Sequence, residues 1–361
     1  MTRVAVTGVT ALTSLGDDLS STFAAMLDGR DGFTDVGRFD VGDSPYHRAA
    51  AVDERLDVQA LIERVVVSLG GGRELAVNRA YLAGESHGPY PTIPATIRLP
   101  RADREPSGWD RIYTGACVAS SSALIDAAAA IAAGRARSVL LVAARTVDAV
   151  TFAPFAAASA MTLETVTRPL TTGRSGLLLG EGAAAMLLEA IDDEQPMVPP
   201  LAEIRGWGRA GDAFHVCQPE PSGRGMHRAI VSALARASLH PEDIGHVSVH
   251  GTGTLLNDAA EVAALETALG SRSEDVPVTS VKSALGHILE AAGLVEAVIA
   301  VQSLIAGIVP PHQGRRAGDT ALLPGLVETV KPSEHLDNVL SLNLAFGGSN
   351  TAIILSRWGT P

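Results

Sequence analysis

Thr114-Gly115-Ala116-Cys117-Val118-Ala119-Ser120-Ser121-Ser122 leads into a run of Ala, Ile and Leu that reaches Ala133, with Gly134 after it. The stretch holds one of only two cysteines in 361 residues. Its small and apolar residues predict a buried helix that stops at Gly134. A cysteine at the mouth of such a helix meets unpaired N–H groups and the positive end of the helix dipole, and both favour an anion. That placement is expected to lower the thiol pKa and supply thiolate near neutral pH. Taken alone, the stretch fits an inert cysteine better, because free Cys packs as a small hydrophobe. The surrounding chain has to decide between the two.

Working outward, apolar strands are expected at Arg3–Gly8, Ser138–Ala144, Ala183–Leu188, Leu201–Gly206, Val247–Val249 and Val276–Ser280. Helical patterns run over Leu19–Leu27 behind an Asp17-Asp18 cap, Leu56–Leu69, Met226–Ala237, Asp258–Leu269 and Ala291–Ile305. Val339–Leu344 and Ala352–Leu355 read as a closing hairpin joined at Gly347-Gly348. Strands alternate with helices, which indicates an α/β layered fold. Each half opens on a strand and closes on paired strands, which points to an internal duplication with a boundary near Pro196, between 1–195 and 196–361. Residues 70–110 carry Gly70-Gly71-Gly72 and five prolines, and read as loop with one short strand.

With 46% hydrophobic and 19% charged residues, the chain can bury a large core. A formal charge of −12 argues against nucleic acid and against an anionic membrane as partners. Two cysteines make no disulfide framework, and the N-terminus shows no signal-peptide pattern, so a cytoplasmic protein is expected. Gly206-Trp-Gly-Arg-Ala-Gly211 matches a dinucleotide fingerprint, but the residues after it do not read as the required helix. His215 and Cys217 lack a second ligand pair, so a metal site is not expected.

Three glycine-rich turns place ionisable residues where the backbone can approach a ligand closely. They are His250-Gly-Thr252-Gly-Thr254, Lys282-Ser-Ala-Leu-Gly-His287 and Phe346-Gly347-Gly348-Ser-Asn350. One cysteine, two histidines and a lysine beside such turns suit acyl transfer through a thioester.

These motifs, in this order, resemble those of the β-ketoacyl synthases, the type II ketosynthases among the condensing enzymes of fatty acid and polyketide synthesis. The likeness also takes in Arg3-Val-Ala-Val-Thr-Gly8, Arg38-Phe39-Asp40, Arg168-Pro169-Leu170, Gly180-Glu181-Gly182, Asp212–His215 and Asn257-Asp258 with Glu261. The resemblance implies an α/β thiolase-like five-layered α-β-α-β-α sandwich built from two duplicated halves. It implies Cys117 as nucleophile, with the N–H groups of Cys117 and Phe346 as the oxyanion site. His250 and His287 are then the donors to an extender carbonyl, and Lys282 and Glu296 order the histidines. Phe346 is implied as a gate, supported by Thr252, Thr254, Gly347 and Gly348. No bound cofactor is implied, because substrates ride on the phosphopantetheine of an acyl carrier protein. A homodimer, or a heterodimer with a second ketosynthase-like subunit, is implied as well.

The chain departs from the family over residues 56–112, which are shortened and dissimilar. The expected carrier-docking helix, Asp57–Leu69, has only Arg64 as a base, which leaves Arg168 and Arg174 as further docking candidates. Thr171, Leu177 and Gly115 stand where Asp, Phe and Thr are usual, and Glu290 replaces a customary small residue. Three readings follow. They are an elongating ketosynthase, an acyltransferase or hydrolase on the same site, and a non-catalytic chain-length-factor-like partner. Retention of Cys117 weighs against the last.

Overall fold

The computed structural model describes residues 2–53, 55–85, 89–100, 107–192, 199–333 and 336–360. Ten strands join into one sheet. In chain order they are β1 (Arg3–Thr13), β2 (Arg79–Ala83), β3 (Arg111–Tyr113), β4 (Ser138–Arg145), β5 (Gly182–Ile191), β6 (Ala202–Gly211), β7 (His246–Ser248), β8 (Val278–Thr279), β9 (Asn338–Ala345) and β10 (Ser349–Ser356). Their order in space is β8-β7-β9-β10-β6-β1-β5-β4-β2-β3. The first half therefore runs β1-β5-β4-β2-β3, and the second repeats it as β6-β10-β9-β7-β8. Strand directions repeat as well. Each half has two antiparallel pairings followed by two parallel ones. Within the large sheet the halves pair between β1 and β6, at Ala5↔Glu203 and Val6↔Ala202. This repeat is the internal duplication that the alternation of elements suggested.

Seven helices of more than two turns are described: α1 (Leu19–Leu27), α2 (Val58–Gly70), α3 (Ala119–Ala132), α4 (Ala149–Ala157), α5 (Arg224–Ala237), α6 (Leu255–Leu269) and α7 (Ala292–Ala306). The side chains of α3 and α7 are buried on nearly every face. A helix apolar all round has to be covered on all sides, and here both lie between the two halves of the sheet. Their core takes in Val6 and Met186 from the first half and Val339 and Leu355 from the second. Outside, α2 covers the first half through Leu61, Ile62 and Val65. Helices α5 and α6 cover the second through Ile230, Ala233 and Leu265. The order is thus α-β-α-β-α, the thiolase-like sandwich. The segment Leu289–Ala306 is long and apolar enough to cross a membrane, but it is the central core helix and is mostly buried.

Side-chain alternation along β4 fixes what faces the centre. Val139, Leu141 and Ala143 join the central core, while Leu140, Val142 and Ala144 pack under α2. Arg145 continues the central series.

Several local expectations are revised. Residues 70–110 contribute the interior strand β2 and a small strand pair, Leu75–Ala76 with Ile97–Arg98. Helix α4 had no clear sequence signal, since Pro154 lies within it. The second half links β7 to β8 through α6, whereas the matching β2–β3 connection has no helix among the described residues. Its loop is anchored instead by Trp109, fully buried, whose Nε1 donates to Pro91 O at 2.8 Å. The boundary set between 195 and 196 lies outside the described residues.

The dinucleotide-like glycines lie within β6. A Cβ on Gly206 would stand 2.2 Å from Ala233 O, and one on Gly208 would stand 2.0 Å from Ala229 O. These glycines let α5 pack close to the strand. Gly208→Ala is therefore expected to cost about 1–3 kcal/mol through overpacking, read as a lower midpoint of chemical denaturation. An unchanged midpoint would contradict the close α5–β6 contact.

Candidate active site

Cys117 sits in a 3-10 turn, Ala116–Val118, that feeds directly into α3. Ala116 has φ +49°, a conformation L residues rarely adopt, and it turns the chain sharply ahead of the cysteine. The bottom of the turn is braced across the central layer. Leu294 N of α7 donates to Ser120 Oγ at 3.0 Å, which satisfies an N–H in the first turn of α7. Gly293 makes this approach possible, because a Cβ there would lie 2.9 Å from Ser121 Cβ. The small residues after Cys117 are thus set by the neighbouring helix.

His250 follows β7. Both oxygens of the buried Glu261 carboxylate on α6 are used, accepting from His250 N at 2.6 Å and Gly251 N at 2.8 Å. His287 follows a single helical turn, Lys282–Leu285, and Gly286. Its N–H donates to Leu178 O at 2.8 Å, and its carbonyl accepts from Gly180 N at 3.0 Å. The two imidazoles meet edge to face, with centroids 5.2 Å apart. His287 Nε2 lies 3.0 Å from Cys117 Sγ.

Lys282 is buried behind them. Its Nζ donates to Glu296 Oε1 at 2.5 Å, and the other carboxylate oxygen accepts from Asn343 Nδ2 at 2.6 Å. Burial, with the Lys282 charge adding to it, holds both His250 and His287 well below the usual histidine range. Both rings are neutral at pH 7.

The cysteine differs from the expectation raised by its helix. Burial pushes its thiol up to about 12, the Glu290 charge adds to the rise, and Lys282 opposes it. The 3-10 turn places Sγ in an apolar cluster with Phe152, Met161, Leu177 and Leu289, and desolvation outweighs the helix end. The resting state is a thiol.

A cavity of about 390 Å³ opens onto Cys117, His250 and His287. Thr252 and Thr254 line it with their hydroxyls 2.9 Å apart. Phe346, half exposed at the mouth, stacks on Phe155 with centroids 6.2 Å apart. It precedes Gly347 and Gly348, both at positive φ, in the β9–β10 turn.

Each docking candidate has an acidic neighbour. Arg168 pairs with Asp319 at 3.2 Å and with Glu164 at 3.4 Å, and Arg174 lies 3.8 Å from the buried Asp258. Arg64 is exposed on α2 beside Asp17. His215 Nδ1 accepts from Cys217 N at 3.0 Å and Gln218 N at 3.1 Å, a loop-ordering role. Sequence reasoning missed Asn343, Phe155 and Arg145. Only Arg145 carried a signal, as a charge closing an otherwise apolar strand.

Residues 201–315 match the family model described as beta-ketoacyl synthase, C-terminal domain. The 3-oxoacyl-[acyl-carrier-protein] synthase 2 of Synechocystis sp. is 27% identical over 411 residues, covering 99% of this chain and 98% of that one. The tetracenomycin polyketide synthase ketoacyl synthase alpha subunit of Streptomyces glaucescens is 36% identical over 191 residues, covering 53% of this chain and 45% of that one. The solved ishigamide ketosynthase/chain length factor superposes with a TM-score of 0.83 at 25% identity, covering 99% of this chain and 100% of the other. Duplicated fold, shared motifs and likeness along almost the whole length make this chain a member of the β-ketoacyl synthase family of the thiolase superfamily.

Proposed function

We propose that the protein is an acyltransferase that catalyses decarboxylative Claisen condensation between a Cys117-bound acyl group and a malonyl-type extender. The pathway is fatty acid or polyketide biosynthesis. The observation that carries the reading is the Cys117 Sγ to His287 Nε2 approach of 3.0 Å, with the neutral His250 ring beside it on the same cavity.

In the loading step the Cys117 thiol gives its proton to His287 as Sγ attacks the acyl thioester. A C–S bond forms to Cys117, the bond to the pantetheine sulfur breaks, and the proton leaves on that sulfur. The N–H groups of Cys117 and Phe346 bind the oxyanion. A neutral imidazole has one ring nitrogen free to take the proton in concert with the attack, and its lowered pKa favours passing that proton on to the departing sulfur.

In the second step the malonyl carbonyl takes hydrogen bonds from His250 and His287. Loss of CO₂ puts negative charge on that oxygen, and donors aimed there stabilise the enolate as the charge develops. The enolate carbon attacks the acyl carbon. The Cys117–acyl bond breaks, and the sulfur leaves as thiolate and takes up a proton from water. Lys282, held by Glu296 and Asn343, helps keep both rings neutral, so that each has one nitrogen to accept a proton and one N–H to donate. It transfers no proton itself.

The names of the relatives support an acyl carrier protein as the partner that delivers both substrates on phosphopantetheine. They also support pairing with a second ketosynthase-like subunit, identical or not. A partner subunit without chemistry has no use for a buried Cys–His contact and a buried lysine–glutamate pair behind it.

Incubation with acyl-carrier thioesters should add one acyl mass to the protein, and Cys117→Ala should abolish the adduct. An adduct that survives the substitution would refute the nucleophile. Malonyl-thioester decarboxylation should fall about 10²–10³-fold in His250→Ala, the loss typical of one oxyanion donor. An unchanged rate would favour plain acyl transfer or hydrolysis on the same site. Because burial raises the thiol pKa, alkylation of Cys117 by iodoacetamide should climb about tenfold per pH unit from pH 7 to 10. A plateau below pH 8 would contradict the desolvated thiol.

A further inference from the structure

Apolar side chains scattered singly over a surface need no explanation, but a cluster of them does. Among the described residues, seven large apolar side chains are more than half exposed, and five of these gather at the mouth of the Cys117 cavity: Phe214, Val216, Leu255, Leu256 and Phe346. Leu255, Leu256 and Phe346 line the cavity themselves. Phe214 and Val216 belong to the loop 212–219, which lends Asp212, Cys217 and Pro219 to the lining.

Hydrogen bonds hold this rim in place. Val216 O accepts from Gly347 N at 2.8 Å, which ties the loop to the turn that carries Phe346. His215 Nδ1 takes the N–H groups of Cys217 and Gln218 and fixes the bend of the loop itself. Arg174 Nη2 donates to Leu255 O at 3.2 Å and steadies the start of α6. The apolar side chains are therefore presented on backbone that is already ordered, and little freedom is lost when a partner covers them.

Charge gives no alternative route to contact. Arg64, Arg168 and Arg174 each stand beside an acid, and the chain as a whole carries a formal charge of −12. Attraction at a distance for an acidic partner is weak, so association has to come from apolar burial.

We infer that this apolar rim is the docking surface for the acyl carrier protein, which meets it with an apolar face of its own around the base of the phosphopantetheine arm. The inference rests on the acyl-transfer reading above and names the surface which that reading leaves open. Geometry commits the rim to this occupant. The arm is covalently joined to the carrier, so when its thioester reaches Cys117 through the cavity, the carrier body lies over the mouth. Docking by burial has a salt signature opposite to that of a basic patch. Salt screens the repulsion between two acidic proteins and leaves the apolar contact intact.

The test measures binding of a fluorescently labelled, acidic acyl carrier protein bearing phosphopantetheine, by anisotropy. Raising NaCl from about 50 to about 500 mM should leave Kd equal or lower, because only repulsion is screened. The paired variant Phe214→Ser with Val216→Ser should raise Kd at least about tenfold, which is what burying one such side chain contributes. In Cys117 loading, the same variant should lose about tenfold of its preference for a carrier-bound thioester over the free pantetheine thioester. No binding to the unaltered protein, a Kd that rises with salt, or an unchanged Kd in a paired variant that keeps a cooperative thermal unfolding transition would overturn the inference. Sedimentation reads the competing occupant. An oligomer that the paired variant dissociates would put a second copy of this chain on the rim and overturn the inference as well. Failure of every thioester to load Cys117 would count against the acyl-transfer reading, and the binding titration would still decide the surface.

Discussion

The N–H of Leu294 reaching Ser120 Oγ ties the starts of α3 and α7 together at the centre of the molecule. Both helices are enclosed by sheet, so water cannot satisfy the unpaired N–H groups of their first turns. Small residues at Ser120, Ser121 and Gly293 let each helix approach the other closely enough to help. The chemistry collects at this one place because the positive-φ turns at Ala116 and Leu289 both open there. One turn delivers Cys117 and the other delivers Glu290.

Burial then sets the ionic character of the site. Lys282, Glu296 and Asn343 form a closed set in which each charged group has a hydrogen-bonding partner. Removing Lys282 or Glu296 would leave a buried charge uncompensated, a loss of about 3–5 kcal/mol. The same low-dielectric surroundings keep the histidines neutral and the cysteine protonated. Reactivity arises from a short Sγ–Nε2 contact and from donors fixed in place, and a standing thiolate is not required.

Much of the fold was legible because the strands of the second half and of the hairpin are strongly apolar and bounded by glycine or proline. The duplication could be sensed from the alternation of elements, but its matching strand order could only come from pairing. Strand β2 was hidden because a five-residue interior strand beside Gly- and Pro-rich loops carries little periodicity. Helix α4 was hidden by Pro154. Motifs revealed Cys117, His250, Lys282, His287 and Phe346 because glycines mark the turns that hold them. The direction of the thiol shift was misjudged because a sequence shows a helix start and does not show how deeply the preceding turn is buried. Arg145 stood out only as a charge ending an apolar strand, and its meeting with Glu290, Nε to Oε2 at 3.5 Å, depends on strand register and the duplicated turn. Neither is visible in one dimension.

The central claim is that one site both holds an acyl group on Cys117 and makes a carbon–carbon bond. Its most direct test is a single turnover. Protein loaded on Cys117 with an isotopically labelled acyl group is mixed with malonyl thioester, and the fate of the label is followed by mass spectrometry. The account predicts that the label leaves Cys117 in step with CO₂ release and appears in a β-ketoacyl thioester. Recovery of the label as free acid, or on the extender thiol without CO₂ release, would contradict it.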